Sequence, residues 1–363
     1  MKIAVLTSGG VDSSVALKLL KDQGHSVTAF YLKIWLEDEL SFLGECPWEE
    51  DLGFVRQICK DAKIPLEVIS MQKEYWDRVV SYVIAECKAG RTPNPDIFCN
   101  QQIKFGQFYE KIDPGFEKVA TGHYARVEER GGLFHLIRSP DPVKDQTYFL
   151  SYLNQKQLSR ALFPIGQYLK FQVRALAEQF DLPNKNRKDS QGICFLGKIP
   201  YREFIKHHLG EKTGDFINQS TGKKVGEHSG YWFYTIGQRF GLGLSGGPWF
   251  VVGKNIPKNQ IILANGYTPQ EVLGDEMKVE NVNWILGAPP VSVPHGGSES
   301  RLQVVHNLYV KIRHGAALHP CTIRKSDDRI RVKLDEMIHG IAPGQFAVFY
   351  DDQECLGGGM IIG

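Results

Sequence analysis

Cysteine is scarce and badly spaced for a scaffold: the 363 residues hold seven, at positions 46, 59, 87, 99, 194, 321 and 355, with no C-x-x-C pair. An odd, scattered set excludes a disulfide framework and a zinc knuckle. An excess of one charge is also missing. Lys+Arg is 43 against 41 Asp+Glu, a net of +2, so the chain is no polycation, although a local basic face suffices for phosphate contact. Long hydrophobic runs are absent too. The longest uncharged stretch, 281–298, contains Pro289, Pro290, Pro294 and three glycines and reads as a loop, not a membrane span. The amino terminus enters an apolar run with one lysine and no small-residue cleavage pattern, so no signal peptide, no membrane association and a cytoplasmic location are expected. No dedicated metal motif is present.

What is there suggests three units. In the first third, apolar runs at 2–6, 26–35, 65–70 and 118–122 alternate with helical patterns at 12–24, 51–62 and 75–87. Strands separated by helices imply a parallel α/β sheet covered on both faces. Residues 198–260 carry nine Lys/Arg against four Asp/Glu, with many glycines and aromatics, and read as a small basic β-rich insert. Beyond about residue 270, short β-rich runs at 279–284, 308–313, 321–325, 330–334 and 346–350 suggest a small barrel, with a mobile loop at 291–300. The expected domains are 1–205, 206–268 and 269–363.

Ser8-Gly9-Gly10-Val11-Asp12-Ser13-Ser14 follows the first strand and opens a helix. Two glycines let backbone N–H groups approach an anion, the serines add donors, and the helix N-terminus adds a favourable dipole. This is a phosphate cradle at the carboxyl end of a parallel strand. It lacks the lysine of a nucleoside-triphosphatase P-loop and the third glycine of a dinucleotide fingerprint. In 91–100, Pro93 and Pro95 are expected to hold an extended loop and forbid a helix, presenting Asp96 and Cys99 together. A lone cytosolic cysteine is ordinarily a small buried hydrophobe. That reading suits Cys46, Cys59, Cys87, Cys321 and Cys355.

The S-G-G-V-D-S-S string resembles the PP-loop of ATP pyrophosphatases, which cleave ATP between its α and β phosphates and adenylate a substrate oxygen. Arg91–Asn100 and Lys188-Asp189-Ser190-Gln191-Gly192-Ile193-Cys194-Phe195 resemble the catalytic segments of the tRNA-specific 2-thiouridylases. Thr121-Gly122-His123-Tyr124-Ala125, 144–150 and 235–239 resemble further motifs of that family in the same order. The resemblance implies 2-thiolation of the wobble uridine by adenylation of its 2-carbonyl oxygen and sulfur transfer from a cysteine persulfide. It implies that Cys194 carries the persulfide, that Cys99 is its partner, and that Asp96 serves as acid/base. ATP would be held by Leu6, Thr7, Ser8, Gly9, Gly10, Val11, Asp12, Ser13, Leu32 and Gly122, with Mg2+ accompanying its phosphates. The tRNA anticodon stem-loop would touch Asn94, Pro95, His123, Lys144, Asp145, Gln146, Arg313, His314 and Gln345. A persulfide donor protein is the other implied partner, and a monomer is expected. Thr7, Leu32, Ile34 and His314 depart from the residues usual at those positions. The rival readings are an ATP-dependent amidating ligase of the same superfamily, which needs no cysteine pair, and a non-enzymatic RNA-binding module.

Overall fold

The computed structural model describes residues 1–34, 48–189, 199–266, 270–290, 303–326 and 329–362. Cys46, Cys194 and the expected loop at 291–300 lie outside them. The chain begins with β1 (Lys2–Leu6), α1 (Val11–Asp22), β2 (Ser26–Lys33), α2 (Trp48–Asp61) and β3 (Leu66–Ser70). Two long helical segments follow, α3 (72–88) and α4 (95–111), then β4 (Lys118–Ala120). With β7 (Ala161–Leu162), these strands form one parallel sheet in the order β3-β2-β1-β4-β7. Both faces are covered, and β1 shows why. Ile3 and Val5 join the core under α1, while Ala4 and Leu6 join the opposite one with Phe30, Phe105 and Val119, the period-2 alternation of a doubly buried strand. The chain leaves β1 toward β2 on one side and returns to β4 on the other. The carboxyl ends of β1 and β4 are therefore the switch point where such sheets bind ligands.

The expectation of an extended loop at 91–100 is corrected. Pro95 is the first residue of a helical turn, Pro95–Phe98, a position where its missing N–H would have had no partner. The turn then widens into a π-helical stretch, Cys99–Gln107. Gly106 is required there, since a Cβ would approach the Gln101 carbonyl oxygen to 2.8 Å.

After the hairpin β5 (Ala125–Arg130) and β6 (Leu133–Arg138), helix α5 (Lys170–Gln179) packs beside α1, and α6 (Tyr201–Leu209) leads into the central unit. There β8 (Gly214–Asn218), β9 (Lys224–His228), β10 (Trp249–Asn255) and β11 (Gln260–Asn265) form a sheet of order β10-β11-β8-β9. The C-terminal unit is a closed barrel of β12 (Leu273–Trp284), β13 (Gln303–Lys311), β14 (His319–Ser326), β15 (Arg329–His339), β16 (Phe346–Asp351) and β17 (Glu354–Ile361), shut by pairing of β12 with β17. The last strand escapes a propensity reading because it holds Gly357, Gly358 and Gly359, and glycine is depleted in strands. The close crossing needs it: a Cβ on Gly357 would sit 1.9 Å from the Asn283 carbonyl oxygen.

The barrel is fused to the first unit twice. Strand β6 pairs with β17, so the hairpin extends the barrel sheet. Lys311, wholly buried at the end of β13, donates to Asp145 Oδ2 at 2.8 Å, and Arg138 reaches the same oxygen at 3.3 Å. Thr147 Oγ1 donates to the other carboxylate oxygen at 2.9 Å. Removing one partner of a buried pair strands the other charge. Lys311→Met should lower the free energy of unfolding by about 3–5 kcal/mol, measured by urea titration. A loss below about 1 kcal/mol would mean that Arg138 alone compensates Asp145.

Candidate active site

The glycine-rich loop is built by local hydrogen bonding. Gly10 caps α1, and its carbonyl accepts from Ser13 Oγ at 3.1 Å and Ser14 Oγ at 2.9 Å. The Gly9 carbonyl is drawn outward to Asn184 Nδ2 at 2.8 Å and Arg187 Nη1 at 3.1 Å. The first N–H groups of an α-helix find no partner within it and suit an anion. Gly9 and Gly122 are fixed by space: Gly9 has φ +73 and a Cβ there would meet the Asp51 carbonyl oxygen at 2.5 Å, while a Cβ on Gly122 would meet Ser13 N at 2.6 Å. Gly10 is different. Its Cβ would touch only Ser8 Oγ, at 3.4 Å.

This loop forms one wall of a cavity of about 420 Å³ at the switch point. Leu32 from β2 and Ile34 just after it line it, as do Thr121, Gly122 and His123 after β4. The third wall is the wide turn of α4, from which Cys99, Ile103 and Lys104 all face the cavity. The i→i+5 spacing of a π-helix brings a residue and its fifth successor to one side, where an α-helix would splay them apart. A second hollow, of about 470 Å³, lies around Met1, His25 and Lys118. It is at the amino ends of the strands, the end where open α/β sheets do not bind ligands.

Electrostatics distinguish the acids. Burial pushes the Asp96 carboxyl up, against the pull of Lys104. Burial and the neighbouring Lys104 charge push His123 well below its usual value near 6.5, and its Nδ1 is bonded to Thr121 Oγ1 at 2.7 Å. Burial opposes ionisation of Asp189 as well, but hydrogen bonds from Lys144 and Lys170 overcome it and hold that carboxyl well below the usual range. Asp12 accepts from Lys170 at 2.8 Å and from Tyr124 OH at 3.0 Å.

The expected site residues fall into groups. Leu6, Thr7, Ser8, Gly10, Val11, Asp12, Ser13, Leu32, Cys99, Gly122, His123, Lys144 and Gln146 line the cavity. Asn94, Pro95 and Asp96 stand at the start of the helical segment that carries Cys99. Arg313 and His314 follow β13, where His314 stacks on Phe149 with ring centroids 4.7 Å apart. Gln345 donates to the carbonyls of Thr92 at 3.0 Å and Pro93 at 3.3 Å, so it also holds the segment that leads to Asp96 and Cys99. Asp145 is 1% exposed and engaged with Lys311, so its side chain anchors the turn that carries Lys144 and Gln146. Lys104, Lys170 and Arg174 were missed. Nothing in their sequence setting separates them from solvated surface lysines and arginines, because the fold alone carries them to the cavity or to Asp189.

Family models match the chain end to end: "tRNA methyl transferase HUP domain" over residues 1–198, "tRNA methyl transferase PRC-barrel domain" over 202–265 and "Aminomethyltransferase beta-barrel domain" over 274–361. A relative named tRNA-specific 2-thiouridylase MnmA, from Parabacteroides distasonis, is 48% identical, with 100% of this chain and 99% of that protein covered. Its namesake from Porphyromonas gingivalis is 46% identical, with 99% of each covered. The chain belongs to the tRNA-specific 2-thiouridylase family. Among solved structures, the U34-tRNA thiolase NcsA of Methanococcus maripaludis has a TM-score of 0.34 at 17% identity, covering 56% of this chain and 64% of that one, a likeness too loose to carry weight.

Two outcomes check this 2-thiouridylase-family site. Gly10→Val should fold, since its extended φ of -79 suits valine, yet lose ATP binding because the branch fills the cradle; calorimetric titration with ATP showing unchanged affinity would refute the cradle. For His123, the unfolded chain takes up a proton near pH 6.5 that the folded chain refuses. Its contribution is therefore full above that pH and is lost as pH falls, by at most about 1.4 kcal/mol per pH unit. His123→Gln should flatten the fall in urea-unfolding stability between pH 7 and pH 5. An unchanged slope would show that His123 is not held neutral.

Proposed function

We propose that this protein uses ATP to convert the wobble uridine of tRNA, position 34, into 2-thiouridine. One observation carries the reading: Cys99 and the phosphate cradle line the same cavity. An amidating ligase needs the cradle but no thiol beside it. Methyl transfer, which two of the matching models carry in their printed names, needs neither. The full-length likeness to proteins named 2-thiouridylases supports the same choice.

The chemistry runs in three balanced steps. The uracil 2-oxygen attacks the α-phosphorus of ATP; a new P–O bond forms, the bond to the β-phosphate oxygen breaks, and pyrophosphate leaves. The terminal sulfur of a Cys194 persulfide then attacks C2, and AMP departs with the electrons of the C–O bond. Finally the Cys99 thiolate attacks Cys194 Sγ, leaving sulfur on C2 and a Cys99–Cys194 disulfide that an external thiol reductant must reopen. Asp96, with its raised affinity for a proton, is suited to handle the uracil N3 proton. Asn94 Oδ1 is a buried acceptor without a donor among the described residues, which suits it to the N3–H of uracil.

Cys99 is 2% exposed, so the base must leave the anticodon stack to reach it. Lys144, Gln146, Arg313 and His314 are the side chains proposed to hold the anticodon stem-loop, with a persulfide donor protein loading Cys194. Among the described residues no group of three or more His, Cys, Asp or Glu could hold a metal. Mg2+ fits only as a companion of the phosphates, where it neutralises their charge and needs few protein ligands, Asp12 being the carboxylate at the cradle.

The test is mass spectrometry of tRNA nucleosides after incubation with ATP, Mg2+ and a sulfide source. Cys99→Ser and Cys194→Ser should each abolish 2-thiouridine. After exposure to a persulfide donor, intact mass should show an added sulfur on Cys99→Ser and none on Cys194→Ser. The opposite pattern would reverse the roles, and product from either variant would sink the two-cysteine route.

A further inference from the structure

Asp189 is the most heavily contacted carboxylate beside the cavity. Lys144 Nζ lies 2.6 Å from one of its oxygens, and Lys170 Nζ and Arg174 Nη2 lie 2.8 and 2.6 Å from the other. Three cations on one carboxylate are more than its charge requires. Lys170 also spans to Asp12, touching both its oxygens at 2.8 and 2.9 Å, and Asp12 stands in the first turn of α1, directly after the cradle. One ammonium group thus touches both the phosphate loop's helix and the Asp189 cluster. Asp189 and Lys144 line the same cavity as Ser8, Gly10 and Ser13.

Resting on the reading that this cavity takes ATP, we propose that Lys144, Lys170 and Arg174 form the subsite for the pyrophosphate that leaves ATP, and that the Asp189 carboxylate is an internal competitor standing in for it. A carboxylate and a phosphate both present paired anionic oxygens to lysine and arginine. A pyrophosphate carries several charges where the carboxylate carries one, so it displaces Asp189 from the same donors. The cations then face the developing charge on the bridging oxygen as the α–β bond breaks, where preorganised donors act most strongly. Once pyrophosphate has departed, Asp189 reclaims them. Lys144, expected from its motif to touch RNA, would stand where the tRNA and the leaving group meet.

The two roles open to Asp189 predict opposite signs. If it competes, Asp189→Asn frees the cations and tightens pyrophosphate binding; if it merely orients them, the same change weakens it. Isothermal titration of the purified protein with inorganic pyrophosphate and Mg2+ reads this directly. We expect Asp189→Asn to bind several-fold tighter than wild type and Lys170→Met to bind about tenfold weaker, the worth of one charge-assisted hydrogen bond. Lys144→Met should follow Lys170→Met. Arg174 also donates to the carbonyls of Lys185 at 2.9 Å and Arg187 at 2.6 Å, so its removal would disturb the fold, and the lysine variants carry the test. Weaker binding by Asp189→Asn overturns the competitor role, and unchanged binding by both lysine variants overturns the subsite. Loss of pyrophosphate binding in Gly10→Val alone would leave the ATP reading standing without the subsite. A wild-type protein that bound neither ATP nor pyrophosphate would remove both.

Discussion

A carboxylate and an ammonium group withdrawn from water, Asp145 and Lys311, tie the barrel to the parallel sheet. Such a pair repays its desolvation only when geometry is good and the remaining lone pairs are satisfied. Here Arg138 and the Thr147 hydroxyl meet that requirement. The consequence is positional. Asp145 lies between Lys144 and Gln146, both in the cavity wall, and Lys311 lies two residues before Arg313. One buried contact therefore fixes, at the same time, a wall of the cavity and the barrel segment expected to meet RNA.

The segment leading to Asp96 and Cys99 is held in the same spirit. The Thr92 N–H donates to the Pro343 carbonyl at 2.8 Å, Gln345 takes the next two carbonyls, and Thr92 Oγ1 meets Thr235 Oγ1 of the central unit at 3.1 Å. All three units thus converge on the residues just before Asp96 and Cys99. The wide turn that follows has weaker helical geometry than an α-helix, and it is accepted where it brings a thiol and an ammonium group to one wall. Lys104 also acts on two buried groups nearby, opposing the rise that burial imposes on the Asp96 carboxyl and reinforcing the fall that burial imposes on the His123 imidazole.

Much of this was legible in the residues alone. The strand-helix alternation foretold the parallel sheet, and the glycine-serine loop after β1 lies in the cavity wall, because both depend on neighbours a few positions apart. Four buried cysteines, at 59, 87, 321 and 355, were recognisable as ordinary hydrophobes. Pro95 was misread because a proline that breaks a helix internally is welcome at its first turn, and only the chain's path says which applies. Strand β17 was hidden by glycines whose purpose is a close crossing with β12.

Local chemistry, then, was determined by sequence: which backbone groups could cradle an anion, and which thiols stood in distinctive surroundings. Partnership was decided by tertiary structure. Asp145 and Lys311 are 166 positions apart, and Lys170 and Asp12 are 158 apart. No periodicity or motif spans such distances, because the energy that joins these groups exists only once packing has expelled water and lowered the dielectric around them.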